Sequence, residues 1–252
     1  MTNYAIVILI PIYGEIDNLP YILSNFEKIN RGNVDYKLLF IINWNDGSKE
    51  YIEKVKTEDK ILDIDYLYLW SYKYGIGQAY IDWFKYLKSS TNYDHIDAIV
   101  TMDADGSHDM GIIPFMYKLL SWYDMTVWSR YKNGWYRYQD TGSYLDIKCR
   151  ISYIWNKLFF VLAGDNIADK TAGFRMWKKK YLHILIDNRC PTNFTYNFYT
   201  YFLFRKAGLK IVEYPIIFYN RRQGKSKFNF LQWVKDYLHI FYKLIKNKLL
   251  FI

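Results

Sequence analysis

The first half of the chain alternates short, continuous apolar runs with segments of helical spacing, and this alternation restricts the possible folds strongly. The apolar runs cover residues 4–13, 36–43, 64–70 and 96–102. Runs of this length without polar interruption are typical of strands that are buried on both faces. Between them, apolar residues recur every three or four positions, as on the buried side of a helix. This order predicts an α/β fold, with a parallel sheet covered by helices on both faces.

The second half continues this organisation less regularly. The remaining predicted elements are a strand, a helix, a strand, a helix and a strand, in that order, at 124–128, 147–163, 172–177, 193–207 and 208–219. The sequence has no internal repeat, low-complexity stretch or flexible linker. It therefore predicts one domain over residues 1–227, followed by a helical tail over residues 228–252.

Polar clusters follow several of the predicted strands at the point where each strand ends. Residues 13–15 read Tyr-Gly-Glu, residues 45–48 read Asn-Asp-Gly-Ser, and residues 103–105 read Asp-Ala-Asp. Sheets of this kind bind ligands beyond the carboxyl ends of their strands. The clusters are therefore expected to share one site.

Asp103 and Asp105 form a D-x-D motif directly after a buried strand. Alternate residues of an extended segment point to the same side, so that both carboxylates can face one ligand. Oxygen ligands of this type suit Mg²⁺ or Mn²⁺, which often bridge to substrate phosphates. A solvated acidic turn is the alternative for so short a motif. The role of the nearby His108, as a ligand, a phosphate contact or a structural residue, stays open.

The net charge of +9 is concentrated at the C-terminal end. Residues 221–252 contain eight lysine and arginine residues and one aspartate. From Phe230 to Leu249, apolar residues recur at three- and four-residue steps with lysines between them, which predicts a basic amphipathic helix. Such a helix suits a membrane interface, and packing of its apolar stripe on the domain is the alternative. The broad apolar side disfavours nucleic acid as a partner.

The cysteines and the hydropathy pattern indicate the compartment. Cys149 and Cys190 lack metal-type spacing, which argues against structural zinc and a disulfide framework and favours a reducing, cytoplasmic location. The apolar run at the N-terminus lacks a preceding basic region and ends at Pro11, so it predicts a strand and no signal peptide. No stretch approaches the ~20 apolar residues of a spanning helix. The expected location is the cytoplasmic face of a membrane, with peripheral attachment.

A succession of motifs gives a more specific indication. From residue 4 to about residue 228, the chain contains, in order, PIYGEIDNLP, INWNDGS, KYGIGQA, MDADGSHD, WSRY, Asn156, DKTAGFR, EYPIIF and RRQGKSK. This succession resembles the dolichyl-phosphate mannose synthase branch of the family 2 glycosyltransferases. One departure is Trp128, which stands where that branch usually has glycine before Ser-Arg.

The resemblance implies a GT-A fold and a reaction. A hexose would be transferred with inversion from a nucleotide sugar, GDP-mannose or a UDP-sugar, to a dolichyl or undecaprenyl phosphate, with Mg²⁺ or Mn²⁺ as cofactor. A phosphate monoester is already ionised near neutral pH, so that such an acceptor needs no general base. One alternative is a family 2 enzyme acting on a hydroxyl acceptor, with Asp169 as base. Another is a non-catalytic, membrane-associated paralogue. A membrane-protein partner stays an open question.

The resemblance also implies roles for individual residues. The residues expected to contact the nucleotide sugar are Pro11, Tyr13, Glu15, Asp46, Asp103, Arg221 and Lys225. The expected metal ligands are Asp103, Asp105 and Ser107. The expected acceptor-phosphate residues are Arg130 and one or both of Lys148 and Arg150. The expected catalytic residues are Asp105, Arg130, Asp169 and Arg175, the last as a neutralising group for the donor diphosphate.

Overall fold

The computed structural model describes residues 5–30, 34–58, 62–69, 75–132, 153–160, 164–188, 190–217, 219, 221–223 and 230–246. The strands of this part of the chain form a seven-stranded sheet of order β3-β2-β1-β4-β6-β5-β7. They are β1 Ala5–Ile12, β2 Asp35–Ile42, β3 Ile64–Tyr68, β4 Ile96–Thr101, β5 Met125–Ser129, β6 Arg175–Lys178 and β7 Ile211–Pro215.

Helices cover both faces of this sheet. They are α1 Leu19–Ile29, α2 Ser48–Glu58, α3 Ile76–Ser89, α4 Ile113–Leu119, α5 153–160, α6 Leu182–Asp187, α7 Tyr196–Lys206 and α8 Phe230–Lys246. The sequence pattern did not predict α6, which is only six residues long. The predicted α/β class and the positions of the seven strands are confirmed.

One strand departs from the predicted parallel sheet. Strands β1 to β4 pair in parallel, as do β5 and β7, whereas β6 is antiparallel to both of its neighbours, β4 and β5. Because β6 runs in the opposite direction, it begins at the edge where β4 and β5 end. The loop over residues 169–174 is thereby placed beside the D-x-D motif.

The strands of the first half are buried on both faces, which explains their continuous apolar sequences. In β1, Ile6, Ile8 and Ile10 belong to the core on one side of the sheet, and Val7 and Leu9 to the core on the other. Each such side chain, fully buried, stabilises the fold by roughly 1.5–3 kcal/mol.

Helix α8 packs on the rest of the molecule by one side. Tyr237, Ile240 and Leu244 are buried in the same core as α3 and α7. Leu238 and Tyr242, one turn apart, have 56% and 61% of their surface exposed. The stripe therefore packs on the domain and also leaves apolar residues in solvent. The predicted boundary at 227/228 lies outside the described residues. Within the described residues, every helix is too short or too polar to cross a bilayer.

Candidate active site

The polar turns that follow β1, β2 and β4 meet at one edge of the sheet, together with the loop that precedes β6. The turn after β4 requires a glycine at position 106. Gly106 has φ +76°, and a Cβ at this position would lie 2.7 Å from Cδ of Arg222. A side chain is therefore excluded there both by the backbone conformation and by the segment packed above it.

The D-x-D carboxylates lie on this turn in different environments. The Oδ1 atom of Asp105 accepts hydrogen bonds from the Ser107 amide at 3.0 Å and the Ser107 hydroxyl at 2.6 Å. Ser107, a predicted metal ligand, thus holds the Asp105 carboxylate in one orientation. The Asp103 side chain is 39% exposed to the cleft. Burial of the surrounding turn, with the nearby Asp105 charge, raises the pKa of Asp103.

His108 supports this turn through a backbone hydrogen bond and a ring contact. Its Nδ1 atom accepts a hydrogen bond from the Asp103 amide at 3.1 Å, and its ring stacks on Phe174 with centroids 4.8 Å apart. Burial lowers the pKa of His108. An accepting Nδ1 requires the neutral imidazole with its proton on Nε2. The sequence left the role of His108 open; in the structure, its Nδ1 atom has a structural role, because it holds the backbone of Asp103.

Arg221 connects two of the polar clusters. Its guanidinium lies 2.6 Å from Oε1 of Glu15 and 3.1 Å from Oδ2 of Asp105. The segment is fixed by backbone hydrogen bonds from Arg222 to the Asp105 carbonyl and from Tyr219 to the Ser107 carbonyl. The structure therefore brings Glu15, Asp105 and Arg221 together, as expected. Lys225 lies outside the described residues.

The turn after β2 retains hydrogen-bonding capacity. Oδ1 of Asp46 accepts from the Ser48 amide at 3.0 Å, whereas its buried Oδ2 has no hydrogen-bond partner among the described residues. Tyr13, at the end of β1, packs against Trp44 with ring centroids 4.8 Å apart. Pro11 pairs with Ile41 at the carboxyl ends of β1 and β2. These residues lie at the carboxyl ends of β1 and β2, at the same edge of the sheet as the D-x-D motif.

Arg130 and Asp169 form a forked ion pair beside the cleft. Nε of Arg130 lies 2.8 Å from Oδ2 of Asp169, and NH2 lies 2.9 Å from Oδ1. Burial alone raises the pKa of Asp169, but the Arg130 charge and the Thr171 hydroxyl outweigh it, so that the pKa lies below its ordinary value. Asp169 is completely buried and Arg130 is 25% exposed. A partly exposed guanidinium is thus held on a buried, ionised carboxylate.

Arg175 occupies a different place from the one expected. It is 2% exposed, and its guanidinium donates to the carbonyls of Ala172, Asn197 and Lys170 at 2.5, 2.6 and 2.9 Å. This position corrects the prediction that Arg175 neutralises the donor diphosphate. Its hydrogen bonds join the loop before β6 to α7, because two loop carbonyls and the Asn197 carbonyl share one buried cation.

The other predicted acceptor residues, Lys148 and Arg150, lie outside the described residues. The structure adds two residues to which the sequence reasoning gave no role. Asn156 donates to the Thr171 hydroxyl at 3.0 Å and accepts from the Lys170 amide at 2.8 Å. Glu213 binds the amides of Ala168 and Asp169. The available signal was a polar residue within a largely apolar segment, Asn156 in α5 and Glu213 in β7.

The carboxylates suit a divalent cation only in part. Within the described ranges, no cluster of three or more His, Cys, Asp or Glu side chains is placed to hold a metal. Asp103 and Asp105 offer hard oxygen donors, and Asp105 already faces a cation, the Arg221 guanidinium. Mg²⁺ is commonly held by one or two carboxylates, with water and substrate phosphates completing the coordination. The donor set therefore fits a metal that binds together with a phosphorylated substrate.

Comparison with known proteins is decisive at the level of the family. Residues 7–211 match the family described as Glycosyl transferase family 2. The chain belongs to this family. An undecaprenyl-phosphate mannosyltransferase from Micrococcus luteus is 28% identical over 225 residues, 88% of this chain and 86% of that protein. A polyprenol monophosphomannose synthase from Mycolicibacterium smegmatis is 27% identical over 230 residues, 88% of this chain and 80% of that protein.

Solved structures agree at the level of the fold. The family 2 chain superposes on glucosyl-3-phosphoglycerate synthase from Mycobacterium tuberculosis, crystallised with Mn²⁺ and UDP, with a TM-score of 0.61 and 13% identity. The match covers 92% of this chain and 75% of that one. The expected GT-A fold is confirmed, and the resemblance to the polyprenyl-phosphate branch is borne out by the two relatives.

Proposed function

We propose that this family 2 glycosyltransferase transfers a hexosyl residue, with inversion, from a nucleotide sugar to a polyisoprenyl phosphate. The observation that carries the proposal is the Arg130–Asp169 pair, a partly exposed cation beside the acidic turn that faces the donor side. An enzyme with two anionic substrates needs positive charge on both sides of the sugar. The names of the two relatives support a polyprenyl phosphate as acceptor and favour mannose as the sugar.

The acceptor chemistry requires no general base. A phosphate monoester oxygen attacks C1 of the sugar, and the electron pair of the breaking C1–O bond leaves with the nucleoside diphosphate. Asp169 is poorly placed to act as a base, because both of its oxygens accept hydrogen bonds from Arg130 and its pKa is lowered. This geometry disfavours the alternative of a hydroxyl acceptor.

The donor side is formed by the chain's own charges and hydrogen-bonding groups. Mg²⁺ or Mn²⁺, held by Asp103 and Asp105, would offset the charge that develops on the leaving diphosphate. Arg221 lies within reach of the same region, so that its guanidinium can move from Asp105 to the diphosphate. The unpartnered Oδ2 of Asp46 offers an acceptor for a donor group of the base or ribose.

A membrane surface fits the exposed side of helices α5 and α8. Trp155 contacts Tyr237 and Phe159 contacts Phe241, with ring centroids 5.8 and 5.7 Å apart, so that the two helices run in the same direction. In an α-helix, successive side chains are rotated by about 100° around the helix axis. Positions 154 and 158, which precede the two contact residues of α5, therefore project to the same side as positions 238 and 242, which follow the two contact residues of α8. The exposed apolar residues of this membrane-facing side are Ile154, Leu158, Leu238, Tyr242 and Ile245.

Charge and position both favour a lipid surface for this side. The exposed lysines Lys157, Lys235 and Lys246 flank it and can contact anionic headgroups. The same helix α5 carries Asn156, which binds the Thr171 hydroxyl, itself a partner of Arg130. A lipid phosphate at Arg130 would therefore have its chain close to the membrane. This arrangement supports peripheral attachment.

Product analysis tests the proposed function. Purified protein is incubated with Mn²⁺, a polyprenyl phosphate and, in turn, each of several GDP- and UDP-sugars, and the lipid fraction is analysed by mass spectrometry. The expected product is a polyprenyl phosphate that is one hexose heavier and is cleaved by mild acid. Transfer to glycan or protein hydroxyls in place of the lipid would contradict the proposal.

A further inference from the structure

Glu213 is a buried carboxylate with no direct part in the proposed reaction. It lies in β7 opposite Val127 of β5, and it is 4% exposed. Burying a carboxylate is unfavourable unless hydrogen bonds compensate it. Its partners should therefore show why an apolar strand contains this charge.

One set of partners is the loop that carries Asp169. Oε2 of Glu213 accepts from the Ala168 amide at 2.8 Å, and Oε1 accepts from the Asp169 amide at 2.6 Å. Two consecutive amides on one carboxylate fix the direction of the peptide between them. By fixing the backbone at Asp169, Glu213 also fixes the direction in which the Asp169 side chain leaves it.

The other partner is the strand end that carries Arg130. The Ser129 hydroxyl lies close enough to the Glu213 carboxylate to oppose the rise that burial causes in the pKa of this group. The same hydroxyl oxygen accepts from the amides of Tyr131 at 3.0 Å and Lys132 at 2.8 Å. Glu213 is thus connected to the residue before Arg130 and, through one oxygen, to the two residues after it.

We propose that Glu213 is a positioning residue, which sets the Arg130–Asp169 pair in the orientation that receives the acceptor phosphate. The proposal rests on the proposed function. Glu213 binds the backbone of one partner and the residue that flanks the other, so the fork geometry depends on a third carboxylate behind it. Within the part of the chain that the structure describes, the proposed donor-side residues Asp103, Asp105 and Arg221 have no hydrogen bond to Glu213.

The variant Glu213→Gln tests this role. Its amide nitrogen would face one of the two backbone N–H groups, so that one donor loses its acceptor. KM for polyprenyl phosphate is expected to rise about tenfold, equivalent to ~1.4 kcal/mol. KM for the nucleotide sugar, Mn²⁺ affinity and slow donor hydrolysis without acceptor should stay within about twofold.

Asp124→Asn is the matched control. Asp124 is a hydrogen-bonded carboxylate at the opposite end of β5, where it accepts from Lys178, Tyr181 and the Lys210 amide. This variant should lower Tm while leaving the ratio of the two KM values unchanged. Equal changes of that ratio in both variants would overturn the inference, since a purely structural role predicts them.

A double variant gives a second, independent readout. Because Glu213 acts through Arg130, adding Glu213→Gln to Arg130→Ala should raise the acceptor KM no further. Additive losses would contradict the inference. If Glu213→Gln does not fold, Ser129→Ala should give the same selective rise, though smaller. A wild-type protein that makes no lipid product overturns the proposed function itself, whereas an active wild type with an unselective Glu213→Gln variant overturns only the role of Glu213.

Discussion

Two arginine–aspartate pairs flank the cleft, and they differ in how tightly each is held. Arg221 bridges two separate carboxylates, Glu15 and Asp105, with a single contact to each. Arg130 forms a fork with one carboxylate, Asp169, which is completely buried. The first arrangement can be exchanged for other ligands at little expense, whereas breaking the second would leave a charge buried without a partner. The proposed donor side can thus rearrange, whereas the proposed acceptor side is held in one geometry.

The largest expected effect is at Asp105. Asp105→Asn should lower turnover about 10³-fold, because a bound divalent cation supplies several kcal/mol of transition-state stabilisation. Steady-state rates with saturating donor measure the change. Asp109→Asn is the control, since the exposed Asp109 only accepts from the Gly111 amide in the same acidic segment. Similar losses of turnover in both variants would mean that turnover depends on the total negative charge of this segment and not on a metal ligand at Asp105.

Removing Arg130 should damage both acceptor use and stability. Arg130→Ala is expected to raise the acceptor KM about 100-fold and to destabilise the fold by roughly 3–5 kcal/mol, because Asp169 is left buried and charged. Urea unfolding and acceptor titration measure the two effects. The double variant with Asp169→Asn should recover most of the stability and none of the acceptor affinity. Recovery of both would remove Arg130 from the acceptor site.

The contribution of the Arg130–Asp169 fork to the free energy of unfolding should depend on pH only in the acidic range. The folded-state pKa of Asp169 is lowered, so the fork stabilises the protein above the unfolded pKa of about 3.9. This contribution is lost as the pH falls through the lower folded value. The difference in unfolding free energy between wild type and the Arg130→Ala/Asp169→Asn double variant should be constant from about pH 5 to pH 8 and shrink below about pH 4. A difference that changes near pH 6–7 would contradict the assignment.

A smaller effect is expected at Arg221, where the substitution should strengthen metal binding. Arg221→Gln removes a cation that competes for Asp105, so Mn²⁺ affinity without nucleotide should rise about fivefold, equivalent to ~1 kcal/mol for a partly exposed pair. Electron paramagnetic resonance of free Mn²⁺ measures it. Arg222→Gln should change nothing, because Arg222 stacks on Tyr21. Weaker Mn²⁺ binding in Arg221→Gln would show that the arginine supports the metal.

An effect similar in size to that at Arg221 is expected on the membrane-facing side. Leu238→Ser should weaken binding to vesicles that contain anionic lipid by about three- to tenfold, as expected for the loss of one inserted apolar side chain. Cosedimentation measures it. Trp122→Ser is the control, because Trp122 is even more exposed, 69% against 56% for Leu238, but belongs to the turn before β5. Equal losses would indicate unspecific adsorption.

The sequence predicted the strands of the first half well because burial on both faces leaves a continuous apolar record, as in β1. It also located the polar clusters at the carboxyl ends of β1, β2 and β4, since strand ends follow directly from strand positions. It did not predict the direction of β6, because a four-residue strand contains no pattern that distinguishes parallel from antiparallel pairing. It misplaced Arg175 for a related reason. A charged residue next to a binding motif looks functional, and only the fold reveals three carbonyls around it.

The reversed direction of β6 has a consequence for how such enzymes diversify. Arg175 pairs with Thr101 on one side and Val127 on the other, so the strand closes the sheet between the donor half and the rest of the molecule. The proposed acceptor residues Arg130 and Asp169 both lie between β5 and this strand in the sequence, and Glu213 contacts the Asp169 amide from β7. A chimaera in which residues 130–174 come from a relative should therefore inherit a new acceptor while keeping the parental sugar donor.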